Sequence, residues 1–385
     1  MIPKDDLKPF RTGKLALILI LSSLIFCLFV SCGKDSKNPV DPGITPLNPF
    51  EWTVVEPEEQ GFDSYLLDTL TQKIYFGQFG QITSLLIVRN GYLAYEEYFR
   101  GKDSADLVQI YSCTKSVVSA LMGIAINKGS IGGVDDRLFD YLDGYTLFPS
   151  GTDDSLHREN LTVEHLLTMT AGFSWEEWDI PYGNSENSYT NMVNSDNWIQ
   201  YTLNQPVIFS PGTTFEYNTG LSGLMAVILR NTTGQRVDHY ARDKLFHRIG
   251  IDTCIWRLSP MGVHMTGNGL ELRPRDMAKF GWLYAQNGVW EGSTIVPSSW
   301  VQASFQPHTT FQDGRAYGYQ WWMVQITDSQ GNPIYLPYAL GWGGQHIFVS
   351  QDNNLVIVVT AYDDVNVSGS YIDEIMNLIG QAFTP

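Results

Sequence analysis

Four cysteines in 385 residues are too few to staple a fold. Cys27 falls inside an apolar N-terminal run and Cys32 at its end, which leaves Cys113 and Cys254 and no basis for a disulfide framework. Basic residues are scarce too: 24 against 41 acidic ones give a net charge of −17, and no basic run follows the first fifteen residues. A nucleic-acid partner is excluded on that ground. Seven histidines are scattered, with no HExxH and no Cys/His cluster, so no metal site is expected. A Gly-rich phosphate loop and a dinucleotide fingerprint are both missing, and no cofactor is expected. What is there, 43% hydrophobic and 17% charged, is the composition of a globular chain with a large core.

One long apolar run exists. Lys4, Lys8, Arg11 and Lys14 precede an uncharged stretch from Leu15 to Val30 that ends at Ser31-Cys32-Gly33. Residues 1–31 resemble a bacterial lipoprotein signal peptide, whose cleavage leaves Cys32 to carry lipid; Phe29 stands where that pattern usually has leucine. An uncleaved anchor is the alternative, the run being at the short end for a bilayer span. Cleavage removes four basic and two acidic residues and leaves a net charge of −19. The expectation is an acidic body anchored by lipid in the bacterial cell envelope and repelled by anionic surfaces. Residues 32–50, polar and proline-bearing, read as a flexible tether. Residues 51–385 read as one catalytic unit whose size suggests two lobes.

The periodicity predicts an α+β fold. Ile82–Val88 and Tyr92–Phe99 flank Arg89-Asn90-Gly91, a hairpin signal. Helices are predicted over Thr114–Lys128, Val163–Met169, Asn197–Leu203, Leu221–Asn231 and Asp276–Asn287, and strands over Tyr317–Ile326, Ile334–Ala339, His346–Ser350 and Leu355–Ala361, before a last helix over Ser370–Phe383. Strands at both ends with helices between them imply an antiparallel sheet lobe (about 51–110 and 262–385) and an inserted helical lobe (about 111–261), with the site in the crevice.

Ser112-Cys113-Thr114-Lys115 heads the first predicted helix. Residues three apart share a helix face, so the lysine amine lies beside the serine hydroxyl. A serine needs a proton acceptor to become a nucleophile, and a lysine whose charge is disfavoured can be one. Ser31-Cys32-Gly33-Lys34 has the same spacing without that context. Tyr217 follows a Pro211-Gly212 turn. A lysine ammonium near its phenol would lower the phenol pKa and let it shuttle a proton. In Gly341-Trp342-Gly343-Gly344-Gln345, glycines beside a strand permit close backbone approach, so the amides of Gln345 and Ser112 could form an oxyanion hole. A tight bend in the sheet is the structural alternative.

Further stretches fall in order along the chain: Leu161–Gly172 (LTVEHLLTMTAG), Pro274–Gly281 (PRDMAKFG) and Tyr317–Trp322 (YGYQWW). Together with the serine–lysine pair they resemble the serine β-lactamase-like hydrolases, in the branch of class C β-lactamases, penicillin-binding proteins and esterases, from about Ile82 to Thr360. The resemblance implies a β-lactamase/transpeptidase-like fold and a Ser112–Lys115–Tyr217 acyl-enzyme mechanism. It also implies substrate contacts at Thr219, Trp342, Gly343 and Gly344. Two positions depart from the family pattern. Thr219 replaces the asparagine of the middle motif, offering one hydroxyl in place of an amide. Trp342-Gly343-Gly344 replaces lysine-threonine-glycine, so the cation that holds a substrate carboxylate is missing, although Arg315 could stand in for it. Trp-Gly-Gly resembles the esterases, and Tyr-x-Ser/Thr is similar to the 6-aminohexanoate-oligomer hydrolases. The expected substrate is a small ester or amide. D-Ala-D-Ala carboxypeptidase or weak β-lactamase action is one alternative, and a penicillin-recognising or peptidoglycan-binding protein with little turnover is another.

Other residues read as structural. Asp276 is a helix first-turn acid, Asp135 and Asp136 look like a cap, and His346 alternates away from the face of Gln345. Trp175, Trp178, Trp198 and Trp322 read as core, with Trp175 and Trp178 able to line an entrance. The sequons at Asn160, Asn231 and Asn366 read as chance.

Overall fold

The computed structural model describes residues 50–150, 154–327, 331–362 and 370–383. The signal run, Cys32, most of the tether and Asn366 lie outside them. Fourteen strands are present among the described residues: β1 (Thr53–Val54), β2 (Ile82–Arg89), β3 (Tyr92–Tyr98), β4 (Val108–Gln109), β5 (Ile255–Trp256), β6 (Leu270–Leu272), β7 (Val289–Trp290), β8 (Ser293–Thr294), β9 (Thr309–Thr310), β10 (Arg315–Tyr317), β11 (Trp322–Thr327), β12 (Pro333–Gly341), β13 (Gln345–Ser350) and β14 (Leu355–Ala361). The helices are α1 (Ser64–Tyr75), α2 (Cys113–Asn127), α3 (Ser155–Glu159), α4 (Val163–Leu167), α5 (Ser188–Val193), α6 (Trp198–Asn204), α7 (Thr219–Thr233), α8 (Val237–Lys244), α9 (Pro274–Ala285), α10 (Ser298–Ser304) and α11 (Ser370–Ala382).

The main sheet runs β1-β3-β2-β14-β13-β12-β11-β10-β9 and is antiparallel except for the parallel β1–β3 edge. Its central strands β2, β13 and β14 are buried nearly end to end, as strands covered on both faces must be. Alternation assigns the faces. Ile347 and Val356 meet α9, where a side chain at Gly281 would put its Cβ 2.8 and 2.6 Å from them. Their neighbours Phe348 and Ile357 line, with Met376 and Ile379 of α11, a groove on the opposite face. The PRDMAKFG stretch is thus a helix whose glycine lets it lie close on the sheet.

The described residues hold helices beyond those expected, α1 and α8 among them, and the run predicted as one strand over Tyr317–Ile326 is two. It turns at Gly318–Trp321, with Gln320 at φ +62°. Gly318 is there because a Cβ would come 2.1 Å from the Ser304 carbonyl. The buried Gln320 amide donates to the Leu166 and Leu167 carbonyls and accepts from Ser222 Oγ, while its own carbonyl accepts from Ser116 Oγ. The side chain therefore ties α4 to α7, and the backbone carbonyl of the same residue adds α2. Asp136 is not a helix cap: its carboxylate accepts from the Gly133 amide and the Tyr141 hydroxyl. Asp276 is buried between Arg273 and Lys279.

Among the described residues no helix is long and apolar enough to cross a membrane, and no cluster of three His, Cys, Asp or Glu could hold a metal.

Candidate active site

Ser112 is the N-cap residue of α2, and its hydroxyl makes no capping bond. The chain reaches it from β4 through Tyr111 at φ +46°, an uncommon conformation for a tyrosine, which turns a strand directly into a helix. From Cys113 to Ala125 every residue of α2 is buried, so Lys115 has no route for its charge into water.

The amine of Lys115 has three partners. Nζ lies 3.1 Å from Ser112 Oγ, 3.0 Å from Thr219 Oγ1 and 2.8 Å from the Gly267 carbonyl. It also stands 4.9 Å from the centroid of the Tyr217 ring. Burial pulls its pKa from 10.5 down to about 8, against the opposing charge of Glu177. The amine therefore sheds its proton around pH 8, far more readily than an exposed lysine, as a base for a serine must.

Tyr217 and Thr219 flank Asn218, the N-cap of α7, whose side chain accepts from the Leu221 amide 3.1 Å away. The cap sets the tyrosine and the threonine at the mouth of the helix. Tyr217 is buried, and the Ser112 hydroxyl is near enough to bear on its ionisation. Its pKa is raised, not lowered as the sequence suggests: burial first, then the charge of Glu177, push the phenol pKa far up, although the nearby Ser112 hydroxyl opposes them. Tyr217 is a neutral phenol.

The loop between β12 and β13 is a tight hairpin with Gly343 and Gly344 in left-handed conformations. Gly341 brings it against the approach to Ser112, since a Cβ there would sit 2.3 Å from the Ile110 carbonyl. The Gln345 side chain turns away, donating to the Ala361 carbonyl at 2.6 Å, while its own carbonyl lies 3.5 Å from Cys113 Sγ. The Gln345 backbone thus passes beside the start of α2. Trp342 meets the Tyr111 ring at 5.2 Å. His346 is buried beside Phe348, with burial drawing its pKa down to about 4.

An aromatic wall borders the site. Trp322 stacks on Tyr217 at 6.0 Å and meets Trp178 at 5.6 Å. Trp178 is half exposed, whereas Trp175 is buried and does not line an entrance. Arg315 stacks on Trp322 at 5.5 Å but is paired with Asp313 at 2.7 Å.

Two participants were not foreseen from the sequence. Gly267 supplies a carbonyl to Lys115 and must be glycine, because a Cβ would come 2.5 Å from Thr219 Cγ2. Glu177 is buried at the far side of Thr219 and accepts its hydroxyl at 2.6 Å.

The chain has relatives among known proteins. A family model described as Beta-lactamase matches residues 82–380. An uncharacterized protein of Alkalihalophilus pseudofirmus is 23% identical over 312 residues, covering 71% of this chain and 82% of its own. A Bacillus anthracis protein provisionally assigned as a 6-aminohexanoate-dimer hydrolase superposes with a TM-score of 0.68, at 19% identity over 88% of each chain. A family VIII carboxylesterase gives 0.63, at 15% identity over 86% of this chain and 99% of that one. A penicillin-binding protein homologue from Pyrococcus abyssi gives 0.62, at 18% identity over 82% and 77%. At such identities the superpositions speak to the fold, which is β-lactamase/transpeptidase-like.

Proposed function

The chain belongs to the beta-lactamase family, and from that premise we propose that it is a serine hydrolase of small carboxylic esters or amides, working through an acyl-enzyme on Ser112. The observation that carries the proposal is the buried amine of Lys115, 3.1 Å from Ser112 Oγ and with its pKa brought to about 8. In the proposed cycle the neutral amine takes the Ser112 proton as Oγ bonds to the substrate carbonyl carbon. The electron pair moves onto the carbonyl oxygen, toward the amides of Ser112 and Gln345. Collapse breaks the bond to the leaving alcohol or amine, which Tyr217 protonates with the Lys115 ammonium behind it. Water, deprotonated by the same groups, then releases the acid.

The ester or amide preference rests on Trp342, which puts an indole where a cation would grip a carboxylate, and on Arg315, whose charge is engaged by Asp313. Thr219 and the Trp342-Gly343-Gly344 turn are assigned to the substrate side of the site. For the region before residue 50 the proposal is export and lipid attachment through Cys32, in the cell envelope.

The test follows p-nitrophenyl acetate, p-nitrophenyl butyrate and nitrocefin from burst to steady state, in wild type and Ser112→Ala. Ester turnover that vanishes in Ser112→Ala, with little nitrocefin cleavage, supports the reading. A nitrocefin burst without turnover, and no ester hydrolysis, would replace it with a penicillin-recognising protein.

A further inference from the structure

Glu177 is the one buried carboxylate that reaches the serine–lysine pair through the described hydrogen bonds, and every bond it makes is a bond it accepts. Oε1 takes the Thr219 hydroxyl at 2.6 Å and the Tyr182 hydroxyl at 3.3 Å. Oε2 takes the Thr219 amide and the Trp175 indole N–H, each at 2.8 Å. Four donors and no acceptor fit a carboxylate anion, which only accepts. The Thr219 amide opens α7, where the helix dipole also favours negative charge. The carboxylate is held from behind as well, because Asn187 donates to the Glu177 and Ile180 carbonyls and fixes the loop.

The directions of these bonds constrain Lys115. Thr219 has one hydroxyl proton, and Glu177 takes it. Toward Lys115 the same oxygen can only accept, so it must receive an N–H from Nζ. The Gly267 carbonyl can only accept as well. A neutral amine has two N–H bonds and one lone pair. With both N–H bonds claimed, the lone pair is left facing its third partner, Ser112 Oγ.

We propose that Glu177 is a positioning residue of the acyl-transfer site: through Thr219 it aims the lone pair of Lys115 at Ser112 and stabilises the ammonium formed when Ser112 gives up its proton. The inference rests on the serine-hydrolase reading above. Without the carboxylate the Thr219 hydroxyl is free to donate into the lysine lone pair and turn the base away from the serine. Charge adds to direction. Glu177 opposes the depression of the Lys115 pKa from within about 6 Å, a range in which an opposite charge moves a pKa by roughly one or more. The other titratable groups facing the lysine are Tyr217 and Cys113, and burial favours the neutral form of both; Tyr182 and Tyr189, beside Glu177, are likewise held neutral.

Glu177→Gln tests this. Its amide either points N–H groups at the Thr219 and Trp175 donors or donates to Thr219 Oγ1 and reverses that hydroxyl. The readout is the rate at which an alkyl fluorophosphonate labels Ser112 across pH 6–10. In that reaction the Oγ–P bond forms, fluoride leaves and the serine proton passes to Lys115. Wild type should show a rate rising through an apparent pKa of about 8. In Glu177→Gln the maximal rate should fall at least tenfold and the rising limb should move to lower pH by about one pH unit. Glu177→Asp, which keeps the charge, should leave the limb near its wild-type position. A folded Glu177→Gln that labels with an unmoved limb overturns the positioning role. If that variant does not fold, Thr219 decides: Thr219→Ser near wild type with Thr219→Val at least tenfold slower upholds the relay, and equal rates overturn it. Wild type that does not label at Ser112 would sink the acyl-transfer reading itself.

Discussion

Lys115 is the residue whose chemistry and folding cost are most tightly linked, and Lys115→Met separates them. Methionine keeps an unbranched apolar stem in the interior of α2 while removing the titrating amine. In the unfolded chain the lysine titrates at 10.5; in the fold burial brings it to about 8. The folded pKa is the lower one, so between these values the unfolded state holds more protons and wild-type stability rises with pH. The relative gain is complete above the unfolded pKa, is lost as pH falls toward the folded one, and is flat below it. Each pH unit between the two pKa values is worth about 1.4 kcal/mol. The stability difference between wild type and Lys115→Met should therefore change in favour of wild type by roughly 2–3 kcal/mol from pH 7 to pH 10. The comparison cancels every group the two proteins share. It also avoids predicting the absolute effect of three lost hydrogen bonds. Urea unfolding at a series of pH values, followed by tryptophan fluorescence, measures it. In parallel, p-nitrophenyl acetate hydrolysis by wild type should show a limb near pH 8, and Lys115→Met should lose about 100- to 10,000-fold at the plateau. A stability difference that stays flat with pH would mean that the lysine keeps its proton in the fold, and the base assignment would fall with it.

Tyr217→Phe removes a phenol that is already neutral, so kcat should drop about 100-fold while the limb near pH 8 stays in place, read from kcat/KM profiles. Gly267→Ala should drive a methyl into Thr219, costing about 1–3 kcal/mol and at least tenfold in kcat, measured by urea unfolding and ester hydrolysis. Gln320→Leu would leave the Ser222 hydroxyl without its acceptor and take the side-chain donor from the Leu166 and Leu167 carbonyls, which keep backbone donors, at a cost of about 1–3 kcal/mol by the same unfolding assay. Trp322→Ala, at a buried ring, should cost about 3–5 kcal/mol, whereas the half-exposed Trp178→Ala should stay within about 1 kcal/mol and chiefly raise KM for butyrate esters.

The serine and lysine were legible because helical spacing at the head of a long apolar helix places them side by side, in order with the later family stretches, and the hairpin of β2 and β3 because Asn90-Gly91 interrupts two apolar runs. The break inside Tyr317–Ile326 was not, since an aromatic run reads as strand until Gly318 is seen against the Ser304 carbonyl. The ionisation of Tyr217 was not legible for a related reason: the sequence suggests a lysine charge nearby, but neither the burial of the phenol itself nor the carboxylate beside it. That carboxylate does leave a trace. Phe173, Trp175 and Glu177 are buried while Glu176 and Trp178 are exposed, a strand-like alternation that puts one of two adjacent glutamates inside. Periodicity thus distinguishes the pair where composition cannot. Thr219, read from sequence as a weakened asparagine, takes a different meaning beside Glu177. A hydroxyl has a single proton, and once a buried anion claims it the oxygen can only accept from the lysine. The departure at position 219 and the glutamate at 177 are therefore two halves of one arrangement, and neither explains the direction of Lys115 without the other.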